Sequence, residues 1–256
     1  LGANTTGASN TAVGKDALSD NTTGYNNTGA GSGAGSGITT GGDNVAVGFN
    51  TMLAAVTGNE NTAVGNDSLK ALTSGSNNVA VGANALDANT TASNNTAVGY
   101  ASLGANTTGT NNTALGVSAL KTVIVGTENT AVGADALELA TGSYNTGVGS
   151  NALTSTTTGA GNTAVGREAL LLNTTGAANV GLGREALRAN TTANFNTALG
   201  FQALTANTTG SSNTGVGSKA LTATTTGTDN VAVGLSAGAS ITTGVLNTIV
   251  GGLAGD

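Results

Sequence analysis

The stretch NTALGFQALTANTTGSS, residues 196–212, is one complete copy of the motif that decides the fold. Similar copies precede and follow it, so the chain is a repeat protein with a period of 17. With the leading Asn as position 1, the consensus is N-T-A-V-G-x-x-A-L-x-x-N-T-T-G-x-x, and the unit from Asn129 is shorter by one residue. We expect one repeat array over residues 1–256. Its units begin at Asn10, Asn27, Asn44, Asn61, Asn78, Asn95, Asn112, Asn129, Asn145, Asn162, Asn179, Asn196, Asn213, Asn230 and Asn247.

The residue types within a unit predict one short strand and two turns. Position 5 is always Gly and position 15 is Gly or Ala, which indicates two tight turns. Positions 2 and 4 carry mostly Thr, Val or Leu and share one face of a strand. We expect that face to be buried together with the Leu or Met of position 9. Where position 9 is Gly, at Gly35 and Gly238, position 12 becomes Ile38 and Ile241, so volume lost at one site reappears at the other.

A unit this short cannot bury its aliphatic side chains alone, but stacked units form a continuous apolar column. The sequence therefore predicts an all-β fold, a parallel β-solenoid or β-roll of about 15 coils with one coil per repeat. The Asn at position 1 of every unit predicts a ladder of side-chain amides along the stack. The Asn at position 12 is interpreted as a turn residue of the N-T-T segment.

Composition excludes most catalytic chemistry. The 256 residues include 42 Gly but no His, Cys, Pro or Trp, so the chain has no imidazole base, no thiolate and no disulfide. With a net charge of −6 and only seven Lys and Arg, we expect no nucleic-acid partner. No apolar run is long enough to span a membrane. We predict no enzyme, no cofactor and no metal site, and we interpret Glu168 and Glu185, beside Arg167 and Arg184, as a solvated ion-pair patch.

The N-[TV]-A-V-G motif resembles the head repeats of trimeric autotransporter adhesins of the YadA type. The NTAVG…AL…NTTG pattern is also similar to arrays in bacterial and phage tail-fibre-like surface proteins. The resemblance covers the whole chain, although the period of 17 departs from the shorter adhesin repeat. It implies a left-handed β-roll that assembles as a trimer outside the cell, at the cell surface. It also implies a fibre or adhesin that attaches to a surface glycan or matrix.

The third position of the predicted strand suggests how chains assemble. It points away from positions 2 and 4 but is Ala or Gly in every unit except the last, where a solvent-facing site favours larger polar residues. We expect close contact with another chain there, with a crowded second wall of the same coil as the alternative. The candidate interface consists of Ala12, Ala46, Ala63, Ala131, Gly147, Ala164, Gly181 and Gly215. Leu1 and Gly255 fall at the same phase of the repeat, which predicts subunits stacked end to end or flanking repeats in one fibre.

Thr pairs at positions 13 and 14 favour a different function. Regular Thr arrays on solenoids are suited to crystalline ligands, so the alternative is a solenoid that binds ice or a glycan lattice. The pairs are interrupted near residues 72–74, 123–125 and 140. They include Thr22-Thr23, Thr90-Thr91, Thr107-Thr108, Thr174-Thr175, Thr191-Thr192 and Thr208-Thr209.

Overall fold

The fold is seen in a computed structural model that describes residues 1–255; the last residue of the predicted array, Asp256, lies outside the described residues. All regular secondary structure in the described residues is β, with one three-residue strand per repeat. The chain divides into two compact units, a first unit of residues 1–128 and a second unit that begins at Asn129. Each unit is a parallel β-solenoid, which confirms the predicted fold class.

The first unit contains seven strands, and each pairs in parallel with the next along the chain. Partners lie one sequence period apart, as in Thr62↔Val79, so the repeat sets the strand register. The strands are β1 (Thr11–Val13), β2 (Thr28–Ala30), β3 (Val45–Val47), β4 (Thr62–Val64), β5 (Val79–Val81), β6 (Thr96–Val98) and β7 (Thr113–Leu115).

The second unit contains eight strands in the same sequential parallel order. Thr130 pairs with Thr146 across the shortened repeat, so the missing residue is absorbed in the turns and the strands stay in register. The strands are β8 (Thr130–Val132), β9 (Thr146–Val148), β10 (Thr163–Val165), β11 (Val180–Leu182), β12 (Thr197–Leu199), β13 (Thr214–Val216), β14 (Val231–Val233) and β15 (Thr248–Val250).

The glycine at position 5 ends each strand. At Gly166 the φ angle is +133°, a conformation that side chains with a Cβ rarely adopt. A Cβ added there would also lie 2.6 Å from the carbonyl carbon and oxygen of Gly183, the matching glycine of the next coil. Both the backbone conformation and the close stacking of coils therefore require glycine, which confirms the tight turn predicted at this position.

The core lies on the face of the strand opposite to the one predicted. In the coil that starts at Asn196, Ala198, Ala203 and Leu204 are fully buried, whereas Leu199 keeps 42% of its surface exposed. The prediction that positions 2 and 4 form the core is therefore wrong: position 3 points inward. The physical reason is the Leu at position 9, which fills the interior so completely that only hydrogen or methyl fits opposite it. A Cβ on Gly147, for example, would lie 3.3 Å from Cγ of Leu137 in the preceding coil.

The leucines at position 9 adopt an unusual backbone conformation. Leu204 has a φ of +52°, and the other leucines at this position share the left-handed region. This conformation costs a residue other than Gly about 1–2 kcal/mol. Full burial of a Leu side chain stabilises the fold by roughly 2 kcal/mol, so packing offsets the strain of the backbone. This backbone conformation turns the chain inward at position 9. The sequence pattern alone shows only a short apolar segment there.

The exchange of volume between positions 9 and 12 is confirmed. A Cβ on Gly35 would lie 3.0 Å from Cδ1 of Ile38 and 3.3 Å from Cβ of Ala46. Gly238 shows the same arrangement, with Cδ1 of Ile241 at 3.4 Å from the added Cβ. The isoleucine side chain thus reaches into the space that Leu occupies in other coils.

The inward direction of position 3 predicts opposite outcomes for adjacent substitutions on β12. Ala198→Asp places an unpaired carboxylate in the core and is expected to cost several kcal/mol of unfolding free energy. Leu199→Asp places the same group in solvent and should change stability by roughly 0.5 kcal/mol or less in a dilute sample. Urea unfolding followed by circular dichroism measures both. Equal losses for the two variants would contradict the assignment.

Candidate functional site

The Asn side chains of position 1 form a hydrogen-bonded ladder inside each unit. Asn162 is fully buried, and its Nδ2 donates to the carbonyl of Gly176 at 2.8 Å and to Oδ1 of Asn145 at 3.2 Å. Its Oδ1 accepts from the backbone N–H and the Nδ2 of Asn179, at 3.0 and 3.1 Å. One carboxamide therefore joins three coils and forms hydrogen bonds with polar groups that water cannot reach.

Asn at position 12 forms a second internal ladder that the sequence analysis did not identify. Asn190 is fully buried; its Nδ2 donates to Oδ1 of Asn173 at 2.8 Å and to the carbonyl of Ala193 at 3.1 Å. Asn207 continues the run by donating to Oδ1 of Asn190 at 3.0 Å. A signal was present in the sequence, because aliphatic residues replace this Asn in other coils. The larger of these replacements are Ile38, Leu72, Val123 and Ile241.

Runs of the second ladder end where the next coil has a different residue at position 12. Asn21, Asn106 and Asn207 are followed there by Ile38, Val123 and Thr224. In each of these three Asn residues, Oδ1 is buried and has no hydrogen-bond donor. An unpaired buried acceptor costs about 1–3 kcal/mol, so the end of the run is unfavourable at each of these three Asn residues.

The small residues at position 3 cannot form an interface through their side chains. They lie inside the coils, fully buried except for Ala12, which is partly buried in β1. The sequence-based expectation of a chain–chain contact there is therefore wrong, and the alternative of a crowded wall within the coil is correct. The residues concerned are Ala12, Ala46, Ala63, Ala131, Gly147, Ala164, Gly181 and Gly215.

The outward face of the strands carries an apolar row beside a row of mostly Thr. Position 4 is Val or Leu in every coil except the one with Ala30. Position 2 is Thr in every coil except those with Val45, Val79, Val180 and Val231. We call the side chains of positions 2 and 4 the outer strip; they are exposed or half-buried and uncharged in every coil. Tyr100 and Leu235, at position 6 after the strand, are exposed as well. Exposed members of the outer strip include Val79, Val98, Leu115, Val180, Leu182, Leu199, Val231 and Val233.

The predicted ion-pair patch is present on the second unit. Glu168 pairs with Arg167 of its own coil and with Nε of Arg188 at 3.0 Å. Hydrogen bonds from Arg188 and then from Arg167 hold the pKa of the Glu168 carboxyl below its usual value. Arg184 pairs with Glu185 at 3.1 Å and also stacks on the ring of Phe201, 4.8 Å from its centre. The carboxylates are thus paired with guanidinium groups at the surface, and only the pair of Arg188 with Glu168 joins two neighbouring coils.

A groove of about 410 Å³ lies on the first unit, where small residues follow one another on the surface. Asp87 lies in the coil before Gly104 and Lys121 in the coil after it. Burial raises the pKa of the Asp87 carboxyl, while backbone hydrogen bonds at Asp87 and Ala88 oppose this shift. The groove is thus bordered by one acidic and one basic side chain. Its lining is Asn84, Asp87, Ala101, Gly104, Ala105, Lys121 and Thr122.

Within residues 1–255 there is no group of three or more His, Cys, Asp or Glu side chains positioned to hold a metal ion. The same residues include no helix able to cross a membrane. Comparison with known proteins found no matching family model, no matching curated protein and no matching solved structure.

The position-1 ladder predicts a large effect for an isosteric change. In Asn162→Asp, an oxygen replaces Nδ2 and faces the carbonyl of Gly176 and Oδ1 of Asn145. We expect a loss of about 3 kcal/mol or more at pH 7, because a buried charge meets two acceptors. Burial raises the pKa of the new carboxyl above its unfolded value of about 3.9. The loss should therefore be smallest at pH 3 and should grow as the pH rises through the folded pKa.

The matched control is Asn151→Asp in the same unit. This side chain is at position 7, where Asp16, Asp67 and Asp135 occupy other coils, so we expect little change in the free energy of unfolding. Chemical denaturation at pH 3, 5 and 7 compares the variants. A loss for Asn162→Asp that matches the control at every pH would exclude a stabilising role for the ladder.

Proposed function

We propose that this chain is a structural segment of an extracellular fibre or adhesin that assembles as a homo-oligomer. The observation that carries the proposal is the outer strip. Exposed apolar surfaces that continue over more than a few hundred Å² are typical of protein association sites. In the second unit the strip follows eight strands, about 34 Å at the usual strand spacing.

A second copy of the same chain is the partner that the strip fits best. The copy presents the same interval between side chains, so its Val and Leu row at position 4 matches the spacing of the facing row along the whole length. Positions 2 and 4 carry no charge in any coil, although the chain has a net charge of −6. Contact through the strip therefore keeps like charges apart at the centre of the interface. A trimer agrees with the resemblance to the YadA-type heads.

Internal construction also supports a mechanical role. Buried Asn ladders and parallel strands link every coil to its neighbours within each unit, so the interior is devoted to cohesion. Surface side chains at positions 6, 7 and 10 differ from coil to coil and are available for contacts with a surface glycan or matrix. Exposed rings such as Phe49 and Tyr100 are suited to stacking on sugars.

Sedimentation velocity tests the proposed assembly. Wild-type chain is expected to sediment as an oligomer of the 24.1 kDa subunit. Leu182→Lys combined with Leu199→Lys places two ammonium groups on the outer strip and should release monomers that retain the β circular dichroism spectrum.

The matched control is Thr175→Lys combined with Thr209→Lys, which adds the same charges at exposed sites away from the strip. This variant should remain oligomeric. A monomeric wild type, or an oligomer that survives both pairs of substitutions, would overturn assembly through the strip.

A further inference from the structure

A second periodic surface on the second unit lies along positions 13 and 14. Six consecutive coils carry a Thr-Thr pair there, without interruption. A Cβ added to Gly238, in the interior, would lie 3.4 Å from Cδ1 of Ile241 at position 12 and 2.9 Å from Cδ1 of Ile249 at position 3. Both segments therefore direct these side chains into the core, and the Thr pairs and the outer strip lie on different sides of it. We call it the Thr face; it consists of Thr157-Thr158, Thr174-Thr175, Thr191-Thr192, Thr208-Thr209, Thr225-Thr226 and Thr242-Thr243.

The first column of the Thr face is held in a single conformation. The Thr174 backbone N–H donates to the carbonyl of Thr191 at 2.8 Å, and its hydroxyl donates to the same carbonyl at 3.0 Å. Thr191 repeats both bonds to Thr208, at 3.0 and 3.1 Å. These bonds fix the interval between coils near the usual strand spacing of about 4.8 Å, and they fix the Thr rotamers too.

The second column is open to solvent. The position-14 threonines of these six coils are exposed, and their hydroxyls make no hydrogen bond to the described residues. No charged residue occupies positions 12 to 15 in these coils. The result is an uncharged row in which a hydroxyl and a methyl group recur at one interval on a rigid support.

Such a row is complementary to a ligand that repeats at a fixed interval itself. The Thr side chains are attached to a backbone that is already ordered, so few groups lose conformational freedom when a ligand binds. The entropic cost of binding is therefore low. Each hydroxyl is able to replace a water molecule in a hydrogen-bonded layer, while the methyl group occupies the space between waters. An anionic polymer would require basic residues, which this surface lacks.

We infer that the Thr face of the second unit binds the surface of ice crystals. The first unit is not expected to do so, because Val56, Ser74 and the pair Ile124-Val125 interrupt the corresponding columns. The inference does not rest on the proposed function, since it uses a different surface and requires no second copy.

Inhibition of ice recrystallisation and shaping of a single ice crystal by the purified chain test the inference. Wild type is expected to inhibit recrystallisation and to produce faceted crystals. Thr175→Lys combined with Thr209→Lys should abolish both effects, because two long charged side chains lift the surface off the ice. Thr175→Val combined with Thr209→Val keeps the size and the methyl groups of the two side chains. We expect this variant to fold and to act on ice more weakly than wild type.

The matched control is Leu182→Lys combined with Leu199→Lys. This pair should retain ice activity even where it dissociates an oligomer, so a failure of the assembly proposal is distinguishable from a failure here. Circular dichroism establishes that each variant is folded. The inference would be overturned if wild type did not shape ice crystals, or if Thr175→Lys combined with Thr209→Lys were as active as wild type. Binding of wild type to crystalline cellulose instead of ice would overturn it too.

Discussion

The carboxamide of the position-1 Asn is the interaction on which the rest of the structure depends. A coil made from one repeat has little regular secondary structure, so many backbone groups at its turns must find partners outside a strand. Asn supplies a donor and an acceptor on one short side chain. Asn162 uses both ends in bonds to three different residues. Asp or Ser would supply only part of this set, which explains why all fifteen units keep Asn.

The narrow interior follows from this arrangement. In most coils the space inside accommodates one large side chain and several small ones, and a second large side chain fits where position 12 is aliphatic, as Leu72 does beside Leu69. Leu204 fills that space and Ala198 and Ala203 surround it, all fully buried. Where Leu is lost, at Gly35 and Gly238, Ile from position 12 takes its place, and the total volume is conserved. The core is therefore specified by size more than by hydrophobicity.

This explains which features the sequence predicts and which it does not. Period, strand position and register follow from the spacing of Asn and Gly, and they are correct throughout the described residues. The direction in which the strand side chains face is not predicted correctly, because Val and Leu are more apolar than Ala and the sequence therefore favours positions 2 and 4 as the buried ones. The usual alternation rule assumes an interior wide enough for large residues, whereas here Leu137 leaves Gly147 no room for even a methyl group without adjustment. Small size at position 3, kept in every unit except the one with Ile249, is the better indicator of burial.

The second Asn ladder shows a related limit. Local preference explains Asn in an N-T-T turn fully, so nothing within one repeat indicates that Asn190 is buried. Comparison between repeats does indicate it, because Ile and Val alternate with Asn only where solvent is excluded. By the same reasoning, surface positions are free to vary, and the two units differ there: Arg167, Arg184 and Arg188 all belong to the second unit, as does the unbroken Thr face. Because the interior holds the coils together, the surface side chains of each coil are able to change without loss of stability.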